Sequence, residues 1–133
     1  ETDWPTVAVN PSGSVVYISG DGGLKEVRTR DWQVERTLSG VKGDAEVSPD
    51  GSRLYAVSGG TTVVVDTDSL DVLTTLDAGG PAIALSDDGK TLAGGNGSLD
   101  IVSTETGVGS SFGSKYGARS AIEIADGSLV WEG

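Results

Sequence analysis

The sequence predicts an all-β chain built from repeated four-stranded antiparallel sheets, and three observations carry that expectation. Gly13, Gly51, Gly89 and Gly127 stand 38 residues apart, each inside a similar short segment. Those segments are Asn10-Pro11-Ser12-Gly13, Ser48-Pro49-Asp50-Gly51, Ser86-Asp87-Asp88-Gly89 and Ile124-Ala125-Asp126-Gly127. Within each repeat the apolar residues alternate with the strand period rather than the helical one. Turn-forming residues punctuate the apolar runs at short, regular intervals. Equal spacing at this period is the signature of a repeat architecture.

The first repeat opens on Thr6-Val7-Ala8-Val9, whose valines share one face, and strands are expected at 6–10, 15–20, 23–30 and 33–39. Pro11-Ser12-Gly13 separates the first two and Gly20-Asp21-Gly22-Gly23 the next two. The second repeat carries the clearest β-branched runs, Thr61-Thr62-Val63-Val64-Val65 and Val72-Leu73-Thr74-Thr75-Leu76. Its strands fall at 44–48, 53–58, 61–67 and 71–77, with Gly59-Gly60 between the second and third. The third repeat repeats the pattern at 82–86, 91–94, 98–104 and 108–114, with Asn96-Gly97 in the corresponding turn. A last pair is expected at 120–125 and 128–132. Other positions keep step: Val27 maps to Val65, Val34 to Val72 and Leu38 to Leu76. Tyr17, Tyr55, Ala93 and Trp131 share one slot, which points to packing between sheets. Two places depart from the pattern. Residues 107–115 are glycine-rich and poorly apolar, and Ile122 and Ile124 lie one position out of phase with Val7 and Val9.

Four-stranded sheets recurring at this period make a β-propeller. The expectation is an incomplete propeller of three full blades plus two strands, over residues 1–133. Its blades cover about 5–40, 43–79 and 81–116, with a partial blade at 118–133. Residues 7–17 (VAVNPSGSVVY), 48–57 (SPDGSRLYAV), 63–70 (VVVDTDSL) and 72–76 (VLTTL) resemble the YVTN-type repeats of cell-surface and periplasmic propellers. They are similar also to the Ser-Pro-Asp-Gly repeats of the TolB-like, WD-like type. The resemblance implies a blade and leaves function open, because such blades serve binding modules, surface proteins and some enzymes.

Composition narrows the function classes. With no Cys there is no disulfide framework, thiolate nucleophile or cysteine-ligated metal, and with no His the commonest general base is missing. A net charge of −11 argues against nucleic acid as a partner. No apolar run approaches the length of a membrane span. The chain opens Glu1-Thr2-Asp3-Trp4-Pro5, without an initiator Met or a signal-peptide core, so a mature or excised segment is expected. An acidic, Cys-free composition is compatible with an extracellular, cell-surface or periplasmic location.

Candidate sites follow from the polar residues. Asp66, Asp68 and Asp71 place three carboxylates in six residues, a set of hard oxygen ligands for Ca²⁺ or a solvated, self-capped turn. The sialidase-type Asp-box needs Ser-x-Asp-x-Gly, and Ser48-Pro49-Asp50-Gly51 is one residue short. Carboxylate pairs such as Asp44 with Glu46, or Asp87 with Asp88, supply acid–base groups without a pocket that sets them face to face. Trp32, next to Asp31 in a turn, is the exposed-aromatic candidate; Trp4 and Tyr116 complete the aromatic set. Asn96-Gly97-Ser98 is both a glycosylation sequon and a hairpin turn. Residues 1–43 carry six acids and five bases, whereas residues 44–133 carry fourteen acids and four bases. Lys25, Arg28, Arg30 and Arg36 gather on the outer half of the first blade. They form either a docking edge for an acidic neighbour or cross-strand pairs with Glu26, Asp31 and Glu35.

The expected function is a non-catalytic binding or scaffold module, with no cofactor, completed by additional blades or by a protein partner, an oligomer among the options. The alternatives are a segment of a propeller enzyme whose active site lies outside these residues, and a calcium- or glycan-binding propeller.

Overall fold

A computed structural model of the chain describes residues 6–20, 22–80, 82–95, 98–113, 123–125 and 128–130. It is all-β in these residues. Blade 1 contains β1 (Thr6–Val9), β2 (Val15–Gly20), β3 (Gly23–Arg28) and β4 (Gln33–Leu38). Blade 2 contains β5 (Ala45–Val47), β6 (Arg53–Ser58), β7 (Thr61–Asp66) and β8 (Val72–Leu76). Blade 3 contains β9 (Ile83–Leu85), β10 (Thr91–Gly94), β11 (Ser98–Ser103) and β12 (Gly109–Gly113). A two-stranded sheet follows, β13 (Glu123–Ala125) with β14 (Ser128–Val130). In each four-stranded sheet the spatial order is the chain order and every pair is antiparallel. The first strands of successive blades lie side by side, β1 by β5, β5 by β9 and β9 by β13. The sheets therefore radiate from a shared inner edge, as propeller blades do.

Strand register sorts each blade into two faces. On blade 2 one row runs Val47–Leu54–Val65–Val72 and its neighbour Ala45–Ala56–Val63–Thr75. This face, here called leading, packs back onto blade 1. The opposite, trailing face carries Glu46–Tyr55–Val64–Thr74 and packs onto blade 3. The same rows recur on blade 1, Val9–Val16–Val27–Val34 on the leading face and Ala8–Tyr17–Glu26–Arg36 on the trailing one. Alternation in a strand makes this possible: one residue of slip would exchange the two faces.

Two cores result. Between blades 1 and 2, Ala8, Tyr17 and Leu24 pack against Ala45, Leu54, Ala56, Val65 and Leu70, with Val41 from the connection. Between blades 2 and 3, Tyr55, Val57, Val64, Leu76 and Ala78 meet Ile83, Leu92 and Val102. The aromatic slot thus sits where expected for Tyr17 and Tyr55, both nearly fully buried. Trp131, its copy in the fourth repeat, lies outside the described residues, as do Trp4, Tyr116, Asn96 and Ile122. Blades 1 and 2 each bulge between their third and fourth strands, at Glu26/Val27 and at Val64/Val65, a repeat within the repeat. Blade 3 has no register shift there, and its glycine-rich last strand still pairs along its length with β11.

The turns are built alike. Gly13, Gly51 and Gly89 donate their amides to the carbonyls of Asn10, Ser48 and Ser86, each with φ between 74 and 80°. Such a left-handed conformation favours glycine. A second reason is steric. A Cβ on Gly51 would lie 3.3 Å from Cδ of Pro11, and one on Gly89 would lie 2.8 Å from Cδ of Pro49. Gly51 and Gly89 are thus each the seat for the proline of the blade before.

Candidate functional site at the blade junctions

Of the polar residues singled out by the sequence, Glu26, Arg36 and the segment from Asp66 to Asp71 meet at the first junction, around the trailing row of blade 1. Glu26 is buried on that row and takes a two-point ion pair from Arg36, Nε to Oε1 at 2.7 Å and Nη2 to Oε2 at 2.8 Å. The Tyr17 hydroxyl donates to the same carboxylate at 3.3 Å. Burial, with the Glu26 charge second, pushes the Tyr17 phenol up to about 12, so it stays protonated and remains a donor. Arg36 then crosses to blade 2. Its guanidinium donates to the carbonyls of Thr67 at 2.8 Å and Asp68 at 2.5 Å. One planar fork thereby ties the edge strand of blade 1 to the turn between β7 and β8, a geometry that a lysine cannot reproduce.

That receiving turn is the three-aspartate segment. Asp66 caps it, its Oδ1 accepting the Asp68 amide at 2.8 Å, and its carbonyl accepts the Leu70 amide at 2.7 Å. Leu70 has φ of 62° and is buried in the first junction. Asp68 and Asp71 are exposed, and Asp66 lies 4.0 Å from Arg53. No three acidic side chains among the described residues come together closely enough to hold a metal ion. Asp66, Asp68 and Asp71 thus supply a cap, a backbone acceptor and turn geometry. Thermal melts in millimolar Ca²⁺ and in chelator are expected to coincide; a rise of several degrees with Ca²⁺ would reveal a ligand-linked site.

The basic cluster divides. Arg36 is committed to the junction. Arg28 pairs with Asp31, Nη2 to Oδ2 at 2.7 Å, and with Glu35. Lys25 and Arg30 are exposed, Lys25 on the leading face. The structure therefore shows cross-strand and turn pairing for two of the four cations, and it does not gather all four into one edge. Trp32 is 68% exposed and occupies a left-handed position with φ of 58°. Its amide donates to the Arg28 carbonyl at 2.8 Å, as that of Leu70 does to Asp66.

A cleft of about 420 Å³ opens at this junction beside Tyr17, Glu26 and Arg36. Its counterpart of about 330 Å³ between blades 2 and 3 is lined by Tyr55, Arg53 and Lys90. In the second cleft the register places Val64 and Thr74 where Glu26 and Arg36 stand in the first, so the clamp is not repeated there. Asp50 and Asp88 rim that cleft as turn caps, each accepting a serine hydroxyl at 2.7 Å, from Ser48 and Ser86. The Ser52 amide and hydroxyl and the Ser48 hydroxyl bring Asp50 down to about 2. Asp87 is exposed beside Asp88.

Asp44 and Glu46 lie at the inner end of the second junction. Asp44 accepts the Ile83 amide of blade 3 at 3.0 Å and its neighbour Ala45 at 3.0 Å. Burial pushes Asp44 up, against the pull of those two amides. Glu46 is raised to about 7, first by burial and then by the Asp44 charge. Between its ordinary value of 4.5 and about 7, the folded chain keeps a proton that the unfolded chain has lost. Stability therefore falls as pH rises across that window and stays low above it. Glu46→Gln is expected to remove the slope and to stabilise the chain at pH 8 by about 1–2 kcal/mol, discounted for partial exposure. Urea titrations at pH 5 and pH 8 test it; an unchanged slope in the variant would assign the dependence elsewhere.

Some residues at the junctions left only a faint mark in the sequence. Thr29, Thr67 and Thr104 each donate a hydroxyl to the carbonyl of a turn glycine, Gly13, Gly51 and Gly89, at 2.8, 2.6 and 2.6 Å. The first two lie sixteen residues beyond their glycine and the third fifteen, so blade 3 is one residue shorter here. The reach of Arg36 into the next blade, and of Asp44 to Ile83, had no local signal.

No family model matches the sequence, and no curated protein does. Among solved structures, the chain is similar to a chain of Kuenenia stuttgartiensis hydrazine synthase, with a TM-score of 0.75 and 23% sequence identity. The likeness covers 95% of this chain and 40% of that one, so this chain spans less than half of its neighbour's length. At this identity the shared property is the fold.

Proposed function

We propose that this chain is a non-catalytic binding and scaffold module, part of a larger propeller of the YVTN or TolB-like type that works at a cell surface, in the periplasm or outside the cell. The observation that carries the reading is how the polar side chains of the junctions are employed. Glu26, Arg36, Asp44, Asp50 and Asp66 hold blades or turns together. A repeat array of this kind supplies rigid, evenly spaced edges and turns for recognition, and it needs further blades or a partner to cover its ends. The acidic second and third blades favour a partner with a basic surface.

Light scattering after size exclusion tests this reading. The isolated chain is expected to self-associate or to unfold over a broad transition, because blade 1 leaves Val7, Val9 and Trp32 exposed. A 13.5 kDa monomer with one sharp transition would show a self-sufficient domain and remove the need for completion. A turnover assay in which this chain alone converts a substrate would remove the scaffold reading.

A further inference from the structure

We propose that the leading face of blade 1 is a docking surface for one more blade of this same repeat, carried on the same polypeptide. The inference rests on reading the chain as part of a larger propeller, and goes on to name the surface and its occupant. The register supplies the argument. The blade 2 residues buried in the first junction are Ala45, Leu54, Ala56, Val65 and Leu70, with Val47 and Val63 packed beside them. Stepping back one repeat of 38 residues gives Val7, Val16, Ile18, Val27 and Trp32, with Val9 and Lys25. This is the leading face of blade 1, exposed at Val7, Val9, Lys25 and Trp32, half-buried at Val16 and Ile18, and buried at Val27. Val7 is 59% exposed, Val9 52% and Trp32 68%, against 3% for Ala45 and 8% for Leu70.

Two further marks on blade 1 match the same occupant. Gly51 and Gly89 are each abutted by the proline of the preceding blade, whereas the space beside Gly13 is vacant to 4 Å. The carbonyls that Arg36 takes on blade 2, those of Thr67 and Asp68, have their 38-residue counterparts in Thr29 and Arg30. A blade with the residues of blade 1 would bring a tyrosine, a proline and an arginine to those places together, and one with the residues of blade 2 would bring the tyrosine and the proline. A second copy of the chain is the poorer occupant, because the trailing faces of its blades 1 and 2 are already buried against blades 2 and 3, and its later repeats carry Asp87 and Ala125 where the proline stands.

The test inserts one additional repeat, a copy of residues 6–43, between Pro5 and Thr6 of the full chain. Trp4 and Trp131 are changed to Phe, and the tryptophan of the inserted copy to Leu, the residue found in that slot on blade 2. Trp32 of blade 1 is then the sole reporter. The expected result is a shift of its emission to shorter wavelength, a several-fold drop in acrylamide quenching and a higher unfolding midpoint. Val7→Lys in blade 1 should abolish all three in the extended chain and change little in the original one, where Val7 is exposed. Arg36→Ala in the inserted copy should lower the gain in midpoint. Trp32 quenched as readily as before, an unchanged midpoint, or an extended chain that fails to fold would each overturn the proposal. So would an unextended chain whose Trp32 becomes shielded as its mass doubles with concentration, since a second copy would then be the occupant. If the added repeat does nothing while the original chain still associates, the scaffold reading stands and only the assignment of this face fails.

Discussion

Arg36→Ala is expected to lower the unfolding free energy by about 3 kcal/mol, the low end of what removing one partner of a buried ion pair costs. The low end applies because the Arg36 side chain is itself 36% exposed, while that of Glu26 is 6% exposed. The variant leaves the Glu26 carboxylate inside the first junction with the Tyr17 hydroxyl as its remaining side-chain partner. It also releases the Thr67 and Asp68 carbonyls. Urea denaturation at pH 7 measures the loss. The double variant Glu26→Leu with Arg36→Met should recover most of it, since an apolar pair of similar volume carries no buried charge. A loss within about 0.5 kcal/mol for the single variant, the range of ordinary surface changes, would mean that the clamp holds nothing.

Tyr55→Ala is expected to cost about 3–5 kcal/mol, as truncation of a buried aromatic does. The ring is 5% exposed and lies in the second core with Ile83, Leu92 and Val102. A change within noise would mean that this slot is not what joins blades 2 and 3. The hydroxyl separates the two tyrosines of the slot. That of Tyr17 donates to Glu26, whereas the Tyr55 hydroxyl has no hydrogen-bond partner among the described residues. Tyr55→Phe should therefore be near neutral and Tyr17→Phe should cost about 1.5–3 kcal/mol, the range for a hydrogen bond to a charged group.

The blades were legible because each strand and turn is specified by residues next to one another. The expected strand at 61–67 is β7, Thr61–Asp66, and the expected strand at 15–20 is β2, Val15–Gly20. The turn residues told the same story, since a left-handed glycine is required at Gly13, Gly51 and Gly89. The aromatic slot announced itself by phase alone. The junction chemistry did not, because it is made by residues one blade apart in the chain. Arg36 and Asp68 are 32 positions apart, and nothing within either segment distinguishes that arginine from Arg28 or Arg30. Trp32 looked like an exposed aromatic and is one; the register with Leu70 shows what sort of position it occupies. The single-residue shortening before Thr104 leaves the interval from Gly89 to Gly127 unaltered, so the glycine spacing carries no trace of it.

The unbroken strand order within each sheet bears on how the molecule reaches its fold. Among the described residues no strand pairs with one from a distant part of the chain, so each of these ladders closes over a short loop and its entropic cost is small. All-β sandwiches fold slowly because their partners are remote in sequence. Here the remote contacts are those between one blade and the next, a single repeat away. Structure can start in any blade and spread to its neighbours, with the apolar leading and trailing faces meeting afterwards. The rate-limiting event is then the docking of preformed sheets. Substitutions at the junctions, Arg36 and Tyr55 among them, should therefore slow folding as well as accelerate unfolding.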